Sequence, residues 1–361
     1  MIKFDVMKKV FIKTFGCIQN TADSERIKAY FEEQNQILIN NWKEADLVVI
    51  NTCVIRQSAE NRAYGLINEI EKRNPKAKIW VTGCLVGVYD RKNKLNILKE
   101  KFERVDDWKP IEFFNNYFPN VDRKQKLAMV TITNGCNNFC SYCIVPFARG
   151  KEISKPFDLV IKEVNLAIEN GLEEVLLIGQ NVNSYGADFG EESWVSMGKK
   201  RFKSYFPKLL ETIAQMNFKK ISFVSSNPWD FSDELIEVIA KYPNVDRLLH
   251  LPFQAGNDQV LKNMNRGYSQ KEYLDLVKKI KSKVSGVKFS TDIIIGFPGE
   301  GEKEFEDTVK VCKEVGFEIA YLNKYSPRAG TVSAKNYQDE IPMSEKKRRW
   351  KILNELVNVK I

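Results

Sequence analysis

Six of the chain's seven cysteines fall into two groups of three, and thiolates in threes point to iron–sulfur chemistry. Cys136, Cys140 and Cys143 lie in "NGCNNFCSYC" with C-x3-C-x2-C spacing. A structural zinc site takes four protein ligands, and no fourth candidate lies near these three in sequence. Three thiolates can instead hold three irons of a cubane cluster and leave the fourth iron to an exogenous ligand. A zinc site completed by a distant residue is the competing reading. With His250 the only histidine and no adjacent fourth cysteine, it is the weaker one. The second group is dispersed: Cys17 ends "VFIKTFGC", Cys53 ends "DLVVINTC" and Cys84 ends "KIWVTGC". The seventh, Cys312 in "VKVCKEV", sits in a helical apolar pattern and reads as core.

Each dispersed cysteine follows a strand-like run, and the elements around them form a pattern. "KKVFIKTF", a helix from about Thr21 to Glu33, "EADLVVIN", a helix from about Gln57 to Lys72 and "AKIWVTG" read as βαβαβ. That pattern predicts a small, doubly wound parallel sheet. In an open α/β sheet, ligands bind at the carboxyl ends of the strands. Cysteines at three such ends converge in space, with Gly16 and Gly83 providing turns beside two of them. One free cysteine alone is ordinarily a buried small residue; three at the same topological position favour a second cluster.

The C-x3-C-x2-C loop follows "LAMVTIT", the first strand of a second series. Further strands are expected at "EEVLLIG", "KKISFVS", "DRLLHLP", "VKFSTDIIIGF" and "FEIAYLNKY". Helical patterns separate them, with start signals at Ser232 and at Gly299 and Gly301. Six βα units predict a partial (β/α)6 barrel, two units short of a full TIM barrel, and its strand ends are where barrel active sites form. The expected division is residues 1–120 for the doubly wound domain, 121–335 for the barrel and 336–361 for a final basic helix. That helix, "MSEKKRRWKILNELVNVKI", places Trp350, Leu353, Leu356 and Val357 on one apolar face. Its basic first turns are either a solvated face or a nucleic-acid contact.

These motifs resemble the radical S-adenosylmethionine methylthiotransferases over nearly the whole chain. "TFGCIQNTADSE", "NTCVIRQSAE" and "VTGC" match the family's auxiliary-cluster domain, and "GCNNFCSYCIVPFARGKE" matches its radical-cluster loop. "LLIGQNVNSYG", "HLPFQAGNDQVLKNMNRGY", "DIIIGFPGE" and "KYSPRAGT" match its barrel. Within the family, "IGQNVNSYG" and "MNRGY" look most like the branch that methylthiolates isopentenyl-adenosine in tRNA, at position 37 beside the anticodon. The resemblance implies two [4Fe–4S] clusters. One rests on Cys136, Cys140 and Cys143, with its open iron chelated by S-adenosylmethionine for reductive cleavage. The other rests on Cys17, Cys53 and Cys84 and holds the sulfur to be transferred.

Beside this implied chemistry, several barrel residues suit cofactor contact. Tyr142, between two cluster cysteines, can pack on the cofactor's adenine. Gly179, Gln180 and Asn181 follow one strand, Ser225 and Ser226 the next and Gln254 a later one, offering close backbone approach and polar groups. Arg266 can pair with the cofactor's carboxylate through its fork of donors. His250 either points into the barrel or packs with it. One departure is "SNP" at Ser226, Asn227 and Pro228, where the tRNA-modifying branch usually has Ser-His-Pro. The family usually continues into a C-terminal RNA-gripping β-barrel, and this sequence stops at Ile361, as a truncation, a fragment or a minimal natural form; if that domain is truly absent, weaker tRNA affinity carried by the basic surface and helix is expected.

The net charge of +9 suits a polyanionic partner without establishing one. No apolar run approaches the roughly 20 residues of a membrane span, and the start lacks a signal peptide's apolar core. A cytoplasmic monomer acting on the tRNA anticodon stem-loop, served by an electron donor such as flavodoxin or ferredoxin, is the expectation. The alternatives are a methylthiotransferase for threonylcarbamoyl-adenosine or for a ribosomal-protein aspartate, and a non-catalytic iron–sulfur protein that binds RNA.

Overall fold

The computed structural model describes residues 7–115, 117, 126–190 and 204–359. The expected boundary between residues 120 and 121 lies outside the described residues. The chain divides into two compact units, Met1–Gln125 with Ile144–Lys151, and Lys126–Cys143 with Glu152–Ile361.

The first unit is built on β1 (Lys9–Thr14), β2 (Ile37–Leu38), β3 (Leu47–Thr52), β4 (Lys78–Gly83) and β5 (Asp107–Trp108). All pairings are parallel, in the order β2-β1-β3-β4-β5. Every residue of β3 is buried, as expected of a central parallel strand covered on both faces. Its side chains alternate between two cores. Leu47 and Val49 join Ile27, Tyr30 and Phe31 of α1 (Ile18–Glu33). Val48 and Ile50 join Ala63, Ile67 and Ile70 of α2 (Gln57–Arg73). Two short helices, α3 (Cys84–Asp90) and α4 (Leu95–Lys101), precede β5, and α5 (Val145–Arg149) belongs to the same unit. The doubly wound sheet is thus as the sequence predicts.

Helix α1 starts earlier than its sequence pattern indicates. Thr21 is a favoured cap type, but the N-cap is Cys17, in extended backbone. Asn20, three residues on, accepts the Cys17 backbone N–H at 3.3 Å in a reciprocal cap.

The second unit carries six parallel strands in chain order: β6 (Leu127–Thr131), β9 (Glu174–Ile178), β10 (Lys220–Phe223), β11 (Leu248–His250), β12 (Lys288–Ile295) and β13 (Ile319–Lys324). They form two three-stranded sheets, and a parallel bridge between Ile221 and Val245 joins β10 to the residues leading into β11. A two-residue antiparallel pair, β7 (Thr133–Asn134) with β8 (Ile153–Ser154), stands beside β6 in sequence. Helices α6 (Phe157–Glu169), α7 (Phe206–Ala214), α8 (Asp233–Lys241), α9 (Asp258–Asn263), α10 (Gln270–Lys283) and α11 (Glu302–Val315) alternate with the strands. This is the expected six-unit partial barrel. Ser232 caps α8 by accepting from the Leu235 N–H, and Gly301 is the N-cap of α11. Cys312 is 2 % exposed inside α11, as core.

After α12 (Val332–Asn336), helix α13 (Met343–Val357) closes the second unit, and its inward face differs from the apolar stripe the sequence suggests. Leu353 and Val357 are buried but Leu356 is exposed, and the face is completed by Lys346 and Arg349. Lys346 Nζ donates to the Tyr325 carbonyl and pairs with Asp339. Arg349 donates to the Glu300 carbonyl at 2.7 Å and pairs with the Glu300 carboxylate. Two cations of the basic segment are therefore structural ion pairs, while Lys347, Arg348 and Lys351 remain exposed. A buried cation needs a buried partner, and no periodicity in α13 itself reveals partners on other elements.

Candidate functional site

In the first unit the strand order 2-1-3-4-5 puts the sheet's switch point between β1 and β3, where open α/β sheets bind ligands. Cys17 follows β1 by three residues, Cys53 follows β3 directly and Cys84 follows β4 directly. The structure thus brings the dispersed cysteines to three adjacent strand ends. Cys53 and Cys84 are buried while Cys17 is exposed.

Burial pushes the Cys53 thiol up to about 11, and the neighbouring Cys84 and Cys17 add to that shift. Burial also raises Cys84, against the opposing effect of Arg149. Both glycines have structural reasons. A Cβ on Gly16 would stand 2.9 Å from the Cys53 Cβ and closer still to Asn20. One on Gly83, at φ +89°, would lie 2.4 Å from the Asn51 side-chain oxygen.

A buried polar network fixes these strand ends. The Asn20 side-chain oxygen lies 3.5 Å from the Cys17 Sγ, and its amide donates to the Thr52 carbonyl at 3.0 Å and to Asn51 at 3.2 Å. Asn51 in turn donates to the Asn20 carbonyl and to Ser24. Further along α1, Asp23 forms a 2.6 Å ion pair with Arg149 of α5. Neither the asparagines nor this pair was expected from the sequence. The available signal was the polar "QN" and "DS" inside a helix that buries Ile27 and Tyr30.

In the second unit Cys136, Cys140 and Cys143 follow β6 and β7, on the expected side of the barrel. The loop's turn uses left-handed backbone at Gly135 and Phe139, φ +80° and +47°. It is clamped by the "NMNR" segment: Ser141 donates from its N–H to the Met264 carbonyl and from Oγ to the Asn263 carbonyl, and Asn265 donates to the Phe139 carbonyl. Burial pushes the Cys136 thiol well above its ordinary value, and Glu152, Cys140 and Cys143 add to it. Glu152 is itself raised to about 8, by burial and by Asp230 and Asp188.

The other expected residues have these settings. Tyr142 is half-buried with an edge contact to Phe297. Gly179 approaches Thr133 so closely that a Cβ would lie 2.1 Å from its hydroxyl oxygen. Gln180 is half-buried, and Asn181 is buried and donates to Asp230 at 2.7 Å. Ser225 and Gln254 both hold φ +68°, strained for non-glycine residues and concentrated at the strand ends. Arg266 stacks on Trp229, donates to the Pro252 carbonyl and reaches the Cys140 Sγ at 3.5 Å. Much of its fork is thus engaged by the protein. His250 turns toward Ser290 and Asp292, at 3.2 and 3.0 Å.

Both trios offer an all-sulfur donor set suited to iron–sulfur clusters. Among the described residues, no group of three His, Cys, Asp or Glu side chains closes around a single ion. The barrel end also suits a polar small molecule. Thr133 Oγ1, Asn181 Oδ1, Asn183 Oδ1 and Ser226 Oγ are buried there with no hydrogen-bond partner among the described residues. Buried polar atoms normally have partners, and the polar groups of a ligand bound at the barrel end would satisfy these.

The fold and site together define a two-unit α/β protein with one thiolate trio at a doubly wound sheet and another at a barrel mouth. Residues 130–312 match the Radical SAM superfamily, and residues 9–106 match the uncharacterized protein family UPF0004. The chain is 37% identical, over 96% of its length and 81% of the relative's, to the tRNA-2-methylthio-N(6)-dimethylallyladenosine synthase of Clostridium botulinum (strain Okra). It is 37% identical to the synthase of the same name from Dehalococcoides mccartyi (strain CBDB1), over 97% of this chain and 82% of that one. In fold it is similar to the radical S-adenosylmethionine methyltransferase TsrM from Kitasatospora setae. That match has a TM-score of 0.62 and 14% identity, over 91% of this chain and 77% of that one. The chain belongs to the radical S-adenosylmethionine methylthiotransferase family.

Proposed function

We infer that the protein adds a methylthio group to carbon 2 of isopentenyl-adenosine at position 37 of tRNA. The observation that carries this reading is the second trio: beyond the barrel's own thiolate loop, Cys17, Cys53 and Cys84 follow three adjacent strands of the doubly wound sheet. The near-full-length similarity to synthases named for this product supports the choice of substrate. Cys136, Cys140 and Cys143 would hold one [4Fe–4S] cluster and Cys17, Cys53 and Cys84 another. When bound, the first supplies reductive cleavage of S-adenosylmethionine and the second supplies the sulfur.

The chain's own residues bind, orient and exclude water. The Ser141, Asn263 and Asn265 contacts hold the thiolate loop, and Arg266 places a cation beside Cys140. Thr133, Asn181, Asn183 and Ser226 offer polar atoms to the S-adenosylmethionine, with Tyr142, Gly179, Gln180, Ser225 and Gln254 completing its binding surface. The strained carbonyl-end backbone at Ser225 and Gln254 is held by the barrel rather than made on binding, which limits reorganisation. Division of the chain near residues 120 and 335, a small reductant such as flavodoxin or ferredoxin, a monomer and a cytoplasmic location complete the reading. No helix of the described residues is long and apolar enough to cross a membrane.

The test uses two triple variants under anaerobic reduction. Replacing Cys136, Cys140 and Cys143 by Ala abolishes 5′-deoxyadenosine formation. Replacing Cys17, Cys53 and Cys84 by Ala leaves that formation measurable but removes methylthio-isopentenyl-adenosine from tRNA. Product formation undiminished in the second variant would sink the two-trio reading.

A further inference from the structure

The Arg149–Asp23 pair lies where a charged pair is expensive. Both side chains are 3 % exposed, their atoms meet at 2.6 Å, and the pair sits deep in the first unit. Arg149 ends α5, whose Ala148 carbonyl packs onto Gly87 of α3 so tightly that a Cβ there would lie 2.0 Å from it. Helix α3 begins with Cys84 itself, so this contact fixes the cation relative to that thiol. Arg149 also opposes the rise of the Cys84 thiol, through its charge and through hydrogen bonding to it, and Cys17 acts on the guanidinium as well.

Asp23 serves two guanidiniums. Asp23 faces Arg149 at 2.6 Å and Arg26 at 3.8 Å, and both arginines are largely buried. Gln19 also donates to Asp23, at 3.2 Å. Two guanidiniums thus share one carboxylate, and of the two Arg149 is the one whose charge acts on the Cys84 thiol. A buried cation is costly unless anions face it. Three thiolates holding a cluster are such an anion, and hydrogen bonds and net charge set a cluster's potential.

We propose that Arg149, held by Asp23, is a positioning residue for the Cys17, Cys53 and Cys84 site, donating a hydrogen bond to the Cys84 sulfur and raising the reduction potential of the cluster bound there. The proposal rests on the reading that these three thiolates hold a cluster.

The test is run on the full chain with Cys136, Cys140 and Cys143 replaced by Ala, so that the remaining cluster is observed alone. Iron and sulfide are counted, and the midpoint potential is read by electron paramagnetic resonance during a redox titration. A parent that binds no iron overturns the cluster reading itself. With the cluster present, Arg149→Met is expected to shift the reduction equilibrium at least tenfold toward the oxidised form, about 59 mV lower for one electron. Arg149→Lys keeps the charge but loses the fork, and gives a smaller fall. Asp23→Asn removes the compensating anion and is expected to raise the potential, a sign that general loosening of the site would not produce. An unchanged potential in Arg149→Met overturns the proposal. Should that variant lose its iron or its solubility, Asp23→Asn decides: an unchanged or lowered potential overturns the proposal.

Discussion

At the scale of single residues, the first unit's site depends on side chains that ligate nothing. Asn20 is fully buried and uses both ends of its amide, accepting from Cys17 and donating to Thr52 and Asn51. Asn20→Ala takes this donor from the buried Thr52 carbonyl and Asn51 side-chain oxygen, and each buried unsatisfied group costs about 1–3 kcal/mol. The expected result is a fall of that order in the stability of the first unit by denaturant unfolding, with less iron retained on Cys17, Cys53 and Cys84. Unchanged stability and iron content would show that water replaces the amide. The cysteines themselves were legible from sequence because thiols at three strand ends form a rare pattern. Asn20 was not, because an asparagine in a helix reads as a surface residue until its burial is known.

At the scale of elements, α13 is fastened to the barrel unit through buried charge. Burial raises the Glu300 carboxyl to about 7, against the Gly296 N–H and the Arg349 guanidinium, which favour its ionised form. The folded value lies above the unfolded value, so the folded state holds this proton more tightly. Its stabilising contribution is therefore complete below about pH 4.5 and is lost as pH rises through about 7. Arg349 also has Glu345 at 2.7 Å and Glu302 at 3.5 Å, so a neutral Glu300 does not strand it. Glu300→Gln, neutral at every pH, is expected to flatten the profile. Between pH 5 and 8 the unsubstituted protein should lose on the order of 1–3 kcal/mol relative to the variant. Parallel urea-unfolding profiles for the two proteins would refute this. Sequence periodicity gave Leu353 and Val357 correctly but placed Leu356 inward, because it could not know that Lys346 and Arg349 have carboxylates waiting on neighbouring segments.

At the scale of the whole molecule, charge sets how a polyanion is met. The net charge is +9, and on α13 the exposed Lys347 and Lys351 remain free of the burial that takes Lys346 and Arg349. Binding to tRNA through such surface cations releases counterions, so affinity falls as a power of salt concentration. If about six phosphates are contacted, raising salt from 50 to 200 mM should weaken binding by roughly 10³. A titration in which affinity stays constant would remove the electrostatic account of RNA recognition while leaving the site chemistry untouched.

The sequence by itself determined the chemistry and the frame that carries it. Cysteine spacing, strand-like runs and helical periodicity are local signals, and local signals fix which residues stand at strand ends. They sufficed for the doubly wound sheet, the six-strand partial barrel and the place of Cys17, Cys53 and Cys84 after three adjacent strands. Tertiary structure alone decided what surrounds those thiols. The start of α1 at Ile18, the Asn20–Asn51 network, the assignment of Ile144–Lys151 to the first unit and the burial of Arg149 against Asp23 all join segments far apart in sequence. A buried polar residue is stabilised only by the partner that packing brings to it. Its role therefore becomes visible only when the chain is folded.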